Sequence, residues 1–543
     1  MKNTFVNILR EPDSILFQFE DSTIRFEEPD SREEQNARIE YRITGDEGVV
    51  TLYPSERPVR RIKMRWRADL SDVISVLGDT FERLYDSAFG INYAPAWRSI
   101  CPELCMPWYF HTYDGETLHC YGVKTGGDAF CHFQIDESGI TLWLDVRNGG
   151  GGVYLREPLV CARVISRQGT VGENPYATAR DFCRMMCEKP NLPTSPIYGV
   201  NNWYWAYGNT SHDGVRAETE NLMDMCADAK GTPYMIIDDG WQASRYIKAD
   251  GDSYNGGPWE LSNPDRFSSM AETADMIHSY GARSGIWFRP LLTAKQVPGE
   301  WESPLLKSKH GILLDPSHPD VLTDVVNNVK MISGWGYDLI KYDFTTFDSI
   351  DLFGRLPDDN RHFYDKSLTN ATILKNMYKA IQRAAGDSVI LGCSAINHLA
   401  AGIHQAMRVS HDTSGRSFEI TRISGPASML RLPQNNTFYA SDPDCAAFTE
   451  RVPIDANLDY LEECAITGMV TLASVTPGIL KGKDLARIRS IYKIASEGGV
   501  DAVPSDWLMH NNPSHFIDKL GNEYAYDWYK VYDGVRSHYT WMN

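Results

Sequence analysis

Two polar residues end a short apolar segment near the middle of the chain. The segment Tyr337–Phe344 follows a helix-like stretch, about 320–335, and precedes an Asp-rich stretch. Its apolar run has the length of a parallel strand that is covered on both faces. Lys341 and Asp343 are two residues apart, so they share one face of that strand. Polar residues at the carboxyl end of a barrel strand are typical of an active site. The alternative is a structural Lys–Asp pair.

Carboxylates recur at the ends of several predicted strands. They are Asp238 and Asp239 after the second strand, Asp343 after the fourth, Asp412 after the sixth, and Asp442 and Asp444 after the seventh. The carboxyl ends of parallel barrel strands lie on one rim, so we expect these groups to converge in space. Unpaired buried carboxylates are costly, so such a cluster indicates cations or a polar ligand. The Asp-Pro-Asp turn at 442–444 can instead cap a helix, so the role of its two carboxylates, as ligands or as a cap, stays open.

Two chemistries use a cluster of carboxylates. One is a metal site, but the sequence has neither His-x-His nor His-Glu-x-x-His, which barrel metallohydrolases commonly use. The other is glycoside hydrolysis, which needs one carboxylate as nucleophile and a second carboxyl as acid/base. Lys341 and Arg408 would then bind hydroxyls and keep a neighbouring carboxylate ionised. No metal and no cofactor is predicted, and a metal-dependent hydrolase stays an alternative.

The elements that must position these residues change in character near residue 195. Residues 1–195 show the alternation and turn signals of an N-terminal β-sandwich. From 196 to 500, eight candidate strands alternate with helical segments, which favours a (β/α)8 TIM barrel over an open doubly wound sheet. No glycine-rich phosphate loop follows the first strand, which weakens the open-sheet alternative. Residues 501–543 are predicted to form a short C-terminal extension without a clear set of strands. The predicted fold class is multidomain α/β.

Composition narrows the range of partners. The formal net charge of −19 at pH 7 argues against nucleic acid and anionic membranes. The N-terminus lacks the apolar segment of a signal peptide and no run of about 18 apolar residues occurs, so we expect a cytoplasmic protein without a membrane span. The 11 cysteines are expected to be reduced. Cys101/Cys105 and Cys183/Cys187 have a spacing that a zinc site could use, but packing is the preferred interpretation.

Four motifs then occur in an order known from one enzyme clan. They are Trp203 at the end of Gly199–Trp203, Asp238-Asp239-Gly240-Trp241, Lys341-Tyr342-Asp343, and Arg408-x-x-x-Asp412. Together with Asp442-Pro443-Asp444 and a last strand at 470–477, they resemble the retaining α-galactosidases of glycoside hydrolase families 27 and 36. The resemblance covers the predicted barrel. The large β-rich N-terminal region is more similar to family 36.

The resemblance implies a role for each matched residue. Asp343 is implied as the nucleophile, and Asp412 as the acid/base. Asp238 and Asp239 are implied ligands of the O4 and O6 region of galactose, Lys341 of O3 and O4, and Arg408 of O2. Trp203 and Trp241 are implied to shape the subsite of the terminal sugar. The expected partner is a small-molecule or oligosaccharide substrate, and because family 36 members are often oligomers, a homo-oligomer stays open.

Physical reasoning adds an expectation about the two catalytic carboxylates. Lys341 on the strand face of Asp343 would favour the charged form of that nucleophile. Asp412 must be protonated during part of the cycle, so we expect a less cationic or more apolar setting for it. Whether Arg408, four residues earlier, touches Asp412 cannot be read from the spacing.

Departures from family 36 leave the sugar open. Arg289 stands where the family often has Glu, Phe344-Thr345-Thr346 replaces a Met-Asn-Arg-like sequence, and the C-terminal β-sandwich is absent or reduced. The related activities that stay open are those of an α-N-acetylgalactosaminidase, a β-L-arabinopyranosidase and a transglycosylase like the raffinose synthases. A catalytically weak sugar-binding protein on the same scaffold is a further alternative. The intact pair of Asp343 and Asp412 argues against it, because a pure binder needs no such pair.

Overall fold

The structure is a computed structural model that describes residues 4–21, 37–83, 95–243, 256–351 and 356–530. Its N-terminal part is made of antiparallel strands. In chain order they are β1 (Ser14–Phe19), β2 (Ile39–Thr44), β3 (Glu47–Leu52), β4 (Val59–Arg67), β5 (Ser75–Gly78), β6 (Met106–Pro107), β7 (Tyr109–Tyr113), β8 (Leu118–Val123), β9 (Phe130–Asp136), β10 (Gly139–Asp145) and β11 (Leu159–Arg167). Helix α1 (Pro175–Met186) follows them.

These strands form two sheets that contact each other through buried aromatic rings. One sheet has the order β1-β4-β10-β9-β6 and the other β2-β3-β11-β8-β7-β5. Strand β4 alternates: Ile62, Met64 and Trp66 are fully buried, and the side chains between them are partly exposed. Phe110 of β7 meets Phe133 of β9 with ring centroids 5.3 Å apart, which joins the two sheets. The period-two alternation therefore points one face of each sheet into a shared apolar layer.

The remainder of the described chain alternates strands and helices. Its first half comprises β12 (Tyr198–Asn201), α2 (Trp203–Ala206), α3 (His212–Met225), β13 (Tyr234–Ile237), α4 (Met270–Ser279), β14 (Arg283–Phe288), β15 (Leu292–Thr293), a 3₁₀ turn (Gly299–Trp301), β16 (Ile312–Leu313), α5 (Pro319–Gly334), β17 (Leu339–Tyr342), α6 (Thr345–Ile350) and α7 (Asn370–Ala384). Helix α5 shows how these helices pack. Its buried residues Val321, Val325, Val329 and Ile332 form one stripe at helical spacing.

The second half continues the alternation and ends in three short strands. It comprises β18 (Val389–Gly392), α8 (Asn397–Ala400), β19 (Ala406–Arg408), α9 (Phe418–Ser424), a 3₁₀ helix (Pro426–Gln434), β20 (Ala440–Asp442), β21 (Ala446–Phe448), α10 (Ile454–Ile466), β22 (Thr471–Val475), α11 (Gly482–Ser496), β23 (Val503–Pro504), β24 (His515–Ile517) and β25 (Glu523–Ala525). Strands β23 to β25 pair as an antiparallel sheet, which the sequence did not predict. Strands of two or three residues carry too little alternation to be recognised.

The central sheet is parallel and curled. Its nine strands have the order β20-β19-β18-β17-β14-β13-β12-β22-β21. Its two edge strands, β20 and β21, are separated in the chain by Pro443–Cys445 alone. The predicted seventh strand, 437–444, contains β20, which pairs with β19; β21, which was not predicted, pairs with β22. Every residue of β17 is buried, as expected for a strand covered on both faces.

A buried ion pair joins the N-terminal sheets to the central sheet. Asp79 follows β5, and its Oδ1 lies 2.8 Å from Nε of Arg431 in the 3₁₀ helix. Gln434 donates to Oδ2 of Asp79 at 2.8 Å, and Arg431 also donates to the backbone oxygen of Val409 at 2.7 Å. The strand end that carries the predicted acid/base and the segment after β5 are therefore held together by one arginine.

No helix in the described ranges has the length and apolar character that a membrane span requires.

Asp79→Ala is expected to destabilise the protein strongly. It leaves the Arg431 guanidinium buried without its carboxylate, which costs about 3 to 5 kcal/mol in the free energy of unfolding. The matched control is Asp181→Ala, because Asp181 pairs with Arg184 on the surface, where both side chains are about half exposed. That change should cost about 1 kcal/mol or less. Urea unfolding midpoints measure both. Equal midpoints for the two variants would contradict the larger contribution to the free energy of unfolding that we expect from the buried pair.

Candidate active site

A cavity of about 50 Å³ lies at the carboxyl ends of the central strands. The residues that line it are Arg83, Trp203, Tyr204, Asp238, Asp239, Trp287, Lys341, Asp343, Phe344, Cys393, Arg408 and Asp412. All the site residues predicted from the sequence are among them except Trp241. The strand ends bring together side chains that are hundreds of positions apart in the chain, as expected for a curled parallel sheet.

Asp343 directly follows β17, and its carboxylate accepts hydrogen bonds from three N–H groups. Oδ1 accepts from the backbone N–H of Phe344 at 2.7 Å and from that of Ser394 at 3.0 Å. Oδ2 accepts from the indole N–H of Trp287 at 3.2 Å. The donors come from three different strand ends, so they fix the orientation of the carboxylate within the cavity.

The backbone turns sharply after Asp343. Phe344 has φ +62°, in the left-handed region, and α6 starts at the next residue. Arg289, which the sequence singled out as a departure from family 36, forms a two-pronged buried ion pair with Asp348 of α6 at 2.7 and 2.6 Å. The same guanidinium lies 4.1 Å from the centre of the Phe344 ring. Arg289 therefore supports the turn that supplies one of the donors to Asp343.

Lys341 pairs with Asp238, not with Asp343. Its Nζ lies 2.6 Å from Oδ2 of Asp238, which also accepts from Asn201 Nδ2 at 2.8 Å. Burial favours the neutral amine of Lys341, but the surrounding negative charges, of which Asp238 contributes most, together raise the pKa of Lys341. Asp239 accepts from Gln242 Nε2 at 2.6 Å. The expectation that Lys341 acts on Asp343 was wrong about its direct partner, because the curl of the sheet turns the lysine toward β13.

Arg408 is buried and links two carboxylates. One of its terminal nitrogens forms an ion pair with Asp444 and lies 3.1 Å from Oδ1 of Asp412. Asp444 also accepts from the backbone N–H of Thr413 at 2.8 Å and from the hydroxyl of Tyr204. Asp444 therefore lies behind the cavity lining as the counterion of Arg408, and it does not cap the following helix, whose N-cap residue is Pro453.

Asp412 sits between two arginines. Arg83 Nη1 lies 2.7 Å from its Oδ1, the same atom that Arg408 contacts. Partial burial raises the pKa of Asp412, but its cationic neighbours, first Arg83 and then Arg408, together hold that pKa well below its usual range. The expectation of a less cationic setting was therefore wrong. Arg83 is 329 positions from Asp412 in the chain, and no sequence motif connects them.

The two predicted tryptophans occupy different places. Trp203 lines the cavity. Trp241 is fully buried, donates to the backbone oxygen of Trp287 at 2.8 Å, and packs against Trp259 and Trp335. It lies behind the cavity wall that Trp287 forms. The packing interpretation, which the sequence left open, describes these contacts of Trp241.

Neither metal interpretation gains support from the geometry. Over the described ranges, no group of three or more His, Cys, Asp or Glu side chains is arranged to hold a metal ion. All 11 cysteines lie in those ranges as free thiols. Cys393 lines the cavity, and its sulfur lies 3.5 Å from Arg408 Nη1. The rim carboxylates are thus matched by side-chain cations and N–H groups of the chain itself.

Sequence comparison identifies two α-galactosidases. Mel36A of Lactobacillus acidophilus is 24% identical over 174 residues, 30% of this chain and 22% of that protein. The bifunctional α-galactosidase/sucrose kinase AgaSK of Mediterraneibacter gnavus is 24% identical over 157 residues, 26% of this chain and 16% of that protein. The alignments thus span less than a quarter of each relative. No protein-family model matches the chain.

Structural comparison extends the similarity to most of the chain. TtGalA, an α-galactosidase from Thermus thermophilus, superposes with a TM-score of 0.57 at 17% identity, covering 88% of this chain and 94% of that one. The family 36 α-galactosidase AgaA from Geobacillus stearothermophilus gives a TM-score of 0.58 at 12% identity, with 89% and 75% coverage. In fold, the chain resembles the α-galactosidases of glycoside hydrolase family 36.

Glu82 precedes Arg83 and provides a pH-dependent test of the geometry. It is buried, and its Oε1 lies 3.9 Å from Nε of Arg83. Burial and the negative charges of Asp343 and Asp412 raise the pKa of Glu82 to about 7, although Arg83 opposes them. A carboxyl whose pKa is higher in the folded state binds more protons there than when unfolded. The free energy of unfolding therefore falls as the pH rises from 4.5, the ordinary pKa of a glutamate, to about 7, the pKa of Glu82 in the folded protein.

Glu82→Gln should therefore gain thermal stability over the wild type as pH rises. Thermal midpoints of both proteins at about pH 5 and about pH 8 measure this, because the glutamine carries no titrating proton. The exposed Glu116→Gln is the control, with the same difference from wild type at both pH values. A midpoint difference for Glu82→Gln that does not change with pH would contradict the raised pKa.

Proposed function

We propose that the chain is a retaining exo-glycosidase that hydrolyses terminal α-galactosides, with Asp343 as nucleophile and Asp412 as acid/base. The observation that carries the proposal is that two carboxylates with different surroundings line one cavity. Asp343 is oriented by three N–H donors. The side chain of Asp412 is 42% exposed and is contacted by arginines. Retaining glycosidases need such a pair, one carboxylate to attack and one carboxyl to transfer protons.

The proposed reaction has two steps. In the first, an Asp343 oxygen bonds to the anomeric carbon while the bond to the leaving oxygen breaks, and Asp412 gives that oxygen its proton. In the second, Asp412 takes a proton from water, whose oxygen displaces Asp343 from the anomeric carbon. The product is a free sugar, and both carboxyl groups return to their starting states. No cofactor or metal is needed in this scheme.

The other cavity residues are proposed to bind the terminal sugar. The paired Asp238 and Lys341 present an acceptor and a donor side by side, which suits neighbouring hydroxyl groups. Asp239 and Arg408 extend the polar wall, and Trp203 offers a ring for the apolar sugar face. Trp241 is proposed to act through Trp287, whose carbonyl it holds.

We infer the substrate class from the solved structures of similar fold. TtGalA was solved with p-nitrophenyl α-D-galactopyranoside and with stachyose. We extend that class, α-galactosides including oligosaccharides, to this chain. The alternatives among related activities differ in the sugar and not in the two carboxylates, so a panel of glycosides separates them. A catalytically weak sugar-binding protein would bind the same sugars without turnover.

We also propose a finer description of the fold. Because the two edges of the central sheet are consecutive in the chain, the nine strands are proposed to close as a (β/α)8 barrel over residues 196–500. The two contacting antiparallel sheets are proposed to be a β-sandwich domain over 1–195. Residues 501–543 are proposed as a C-terminal extension of the barrel.

Asp343→Asn and Asp412→Asn are expected to abolish most of the hydrolysis of α-galactosides. Loss of the nucleophile should lower kcat by at least about 10³-fold, because no covalent intermediate can form. Loss of the acid/base should cost about 10²- to 10⁴-fold on stachyose and less on p-nitrophenyl α-D-galactopyranoside, whose leaving group needs no proton. The exposed Asp387→Asn is the control and should keep the wild-type rate.

Product stereochemistry checks the retaining mechanism independently. Proton NMR of the first turnovers should show the α-anomer of galactose before mutarotation. The β-anomer would reject retention. Wild-type protein that turns over no glycoside of a panel would reject the glycosidase proposal, and loss of activity with a chelator would favour the metal-dependent alternative.

The two tryptophans are expected to separate sugar binding from packing. Trp203→Ala should raise the KM for p-nitrophenyl α-D-galactopyranoside by about 5- to 30-fold, because a ring on a sugar face contributes about 1 to 2 kcal/mol. Trp241→Phe should leave KM nearly unchanged and lower the thermal midpoint, because it removes a buried hydrogen bond. A KM effect of Trp241→Phe as large as that of Trp203→Ala would show that Trp241 also shapes the sugar subsite.

A further inference from the structure

Arg83 reaches the cavity from the N-terminal part of the chain, at the end of the segment 79–83. Four interactions hold that segment. Asp79 pairs with Arg431, and Arg431 also donates to the backbone oxygen of Glu82 at 3.1 Å. The backbone oxygen of Phe81 accepts from the N–H of Asn397 at 3.1 Å. The Phe81 ring packs edge-on against Trp108, with centroids 5.6 Å apart. Arg83 thus lies at the end of a segment that is fixed by these contacts, and its side chain is 4% exposed.

Both arginines at Asp412 contact the same carboxylate oxygen, but they differ in what else they bind. Arg408 shares its charge with Asp444, with which it forms a buried ion pair. Arg83 faces the carboxylate of Glu82, whose Oε1 lies 3.9 Å from its Nε. Its contact to Asp412 is also shorter, 2.7 Å against 3.1 Å for Arg408. Arg83 therefore makes the closer of the two cation contacts to the proposed acid/base.

We propose that Arg83 is a positioning residue for the acid/base: the N-terminal part supplies the guanidinium that fixes the orientation of Asp412 and holds it ionised. This inference rests on the proposed function. Nothing in the motifs shared with family 36 includes Arg83. The residue does not touch the reacting atoms in this scheme and acts through Asp412 alone.

The charged and titratable groups around Asp412 come from several elements. They are Arg83 and Glu82 from the segment after β5, Tyr204 of α2, Lys341 of β17, Arg408 of β19, His411 next to Asp412, and Asp444 between β20 and β21. Lys341 and Arg408 are each paired with a buried carboxylate. Glu82 becomes ionised near pH 7 and then competes for Arg83. Removal of Arg83 takes away a positive charge that lies 2.7 Å from Oδ1 of Asp412.

The consequence concerns the first reaction step. A sugar leaving group departs as an alkoxide unless Asp412 donates its proton, so that step needs protonated Asp412. The second step needs the ionised form. By holding Asp412 ionised, Arg83 favours the second step. It also moves the alkaline limb of the pH–rate profile to lower pH when the bond broken joins two sugars. A p-nitrophenyl leaving group does not need the proton, so its rate should not follow this limb.

The test compares pH profiles of kcat/KM for Arg83→Met and wild type. With stachyose, the alkaline limb of Arg83→Met should move upward by about one pH unit, the effect of losing one contacting opposite charge at a partly exposed carboxylate. With p-nitrophenyl α-D-galactopyranoside the limb should stay in place. Arg83→Lys should keep the limb near the wild-type position. Arg184→Met, which removes an exposed guanidinium paired with Asp181, is the matched control and should shift nothing.

A merely structural Arg83 gives a different result. Arg83→Met would then lower the rate at every pH without moving the limb, and that outcome overturns the inference. Far-UV circular dichroism checks that each variant folds, and Arg83→Gln replaces the methionine variant where it does not. If the wild type hydrolyses no galactoside, the proposed function fails, and a second measurement decides the inference. The ¹³C carboxyl titration of Asp412, assigned by Asp412→Asn, should move to higher pH in Arg83→Met, and an unchanged titration overturns it.

Discussion

Burying a carboxylate costs several kcal/mol unless a cation or several N–H groups face it, and the rim of the central sheet buries several of them. Each is matched by a partner from another strand end: Asp238 by Lys341, Asp444 by Arg408, and Asp343 by N–H groups. Any strand that shifted along the sheet would leave a carboxylate and its partner both unpaired. The charge matching therefore constrains the register of the strands as well as the shape of the cavity.

The same constraint ties the N-terminal part to the site. Arg431 is buried where the two parts of the chain meet, and it needs Asp79 as its counterion. The segment that supplies Asp79 runs on to Arg83, four residues later, which faces Asp412. A pair that stabilises the contact between the two parts thus also sets the position of a cation in the cavity. The N-terminal part completes the charge distribution of the site, beyond any role in folding.

Much of the fold was predictable, because the apolar runs of the parallel strands are short, continuous and bounded by turns. The strand ends follow from them, and this is why Asp238, Asp343 and Asp412 could be grouped from the sequence. The cations and N–H groups that pair with these carboxylates could not be predicted in the same way. Lys341 was assigned to Asp343 because strand neighbours share a face, but the curl of the sheet brings it to Asp238. No sequence motif marked Arg83, and strands β23 to β25 were too short to show alternation.

The different surroundings of the two catalytic carboxylates have a physical logic under the proposed mechanism. The transition state of glycoside hydrolysis carries positive charge near the anomeric carbon. An unpaired cation beside the nucleophile would oppose that charge, and Asp343 is oriented by neutral N–H groups instead. The cavity cations Lys341 and Arg408 are each neutralised by a buried carboxylate. The charge of Arg83 is directed at Asp412, where it stabilises the ionised form that must receive a proton from water.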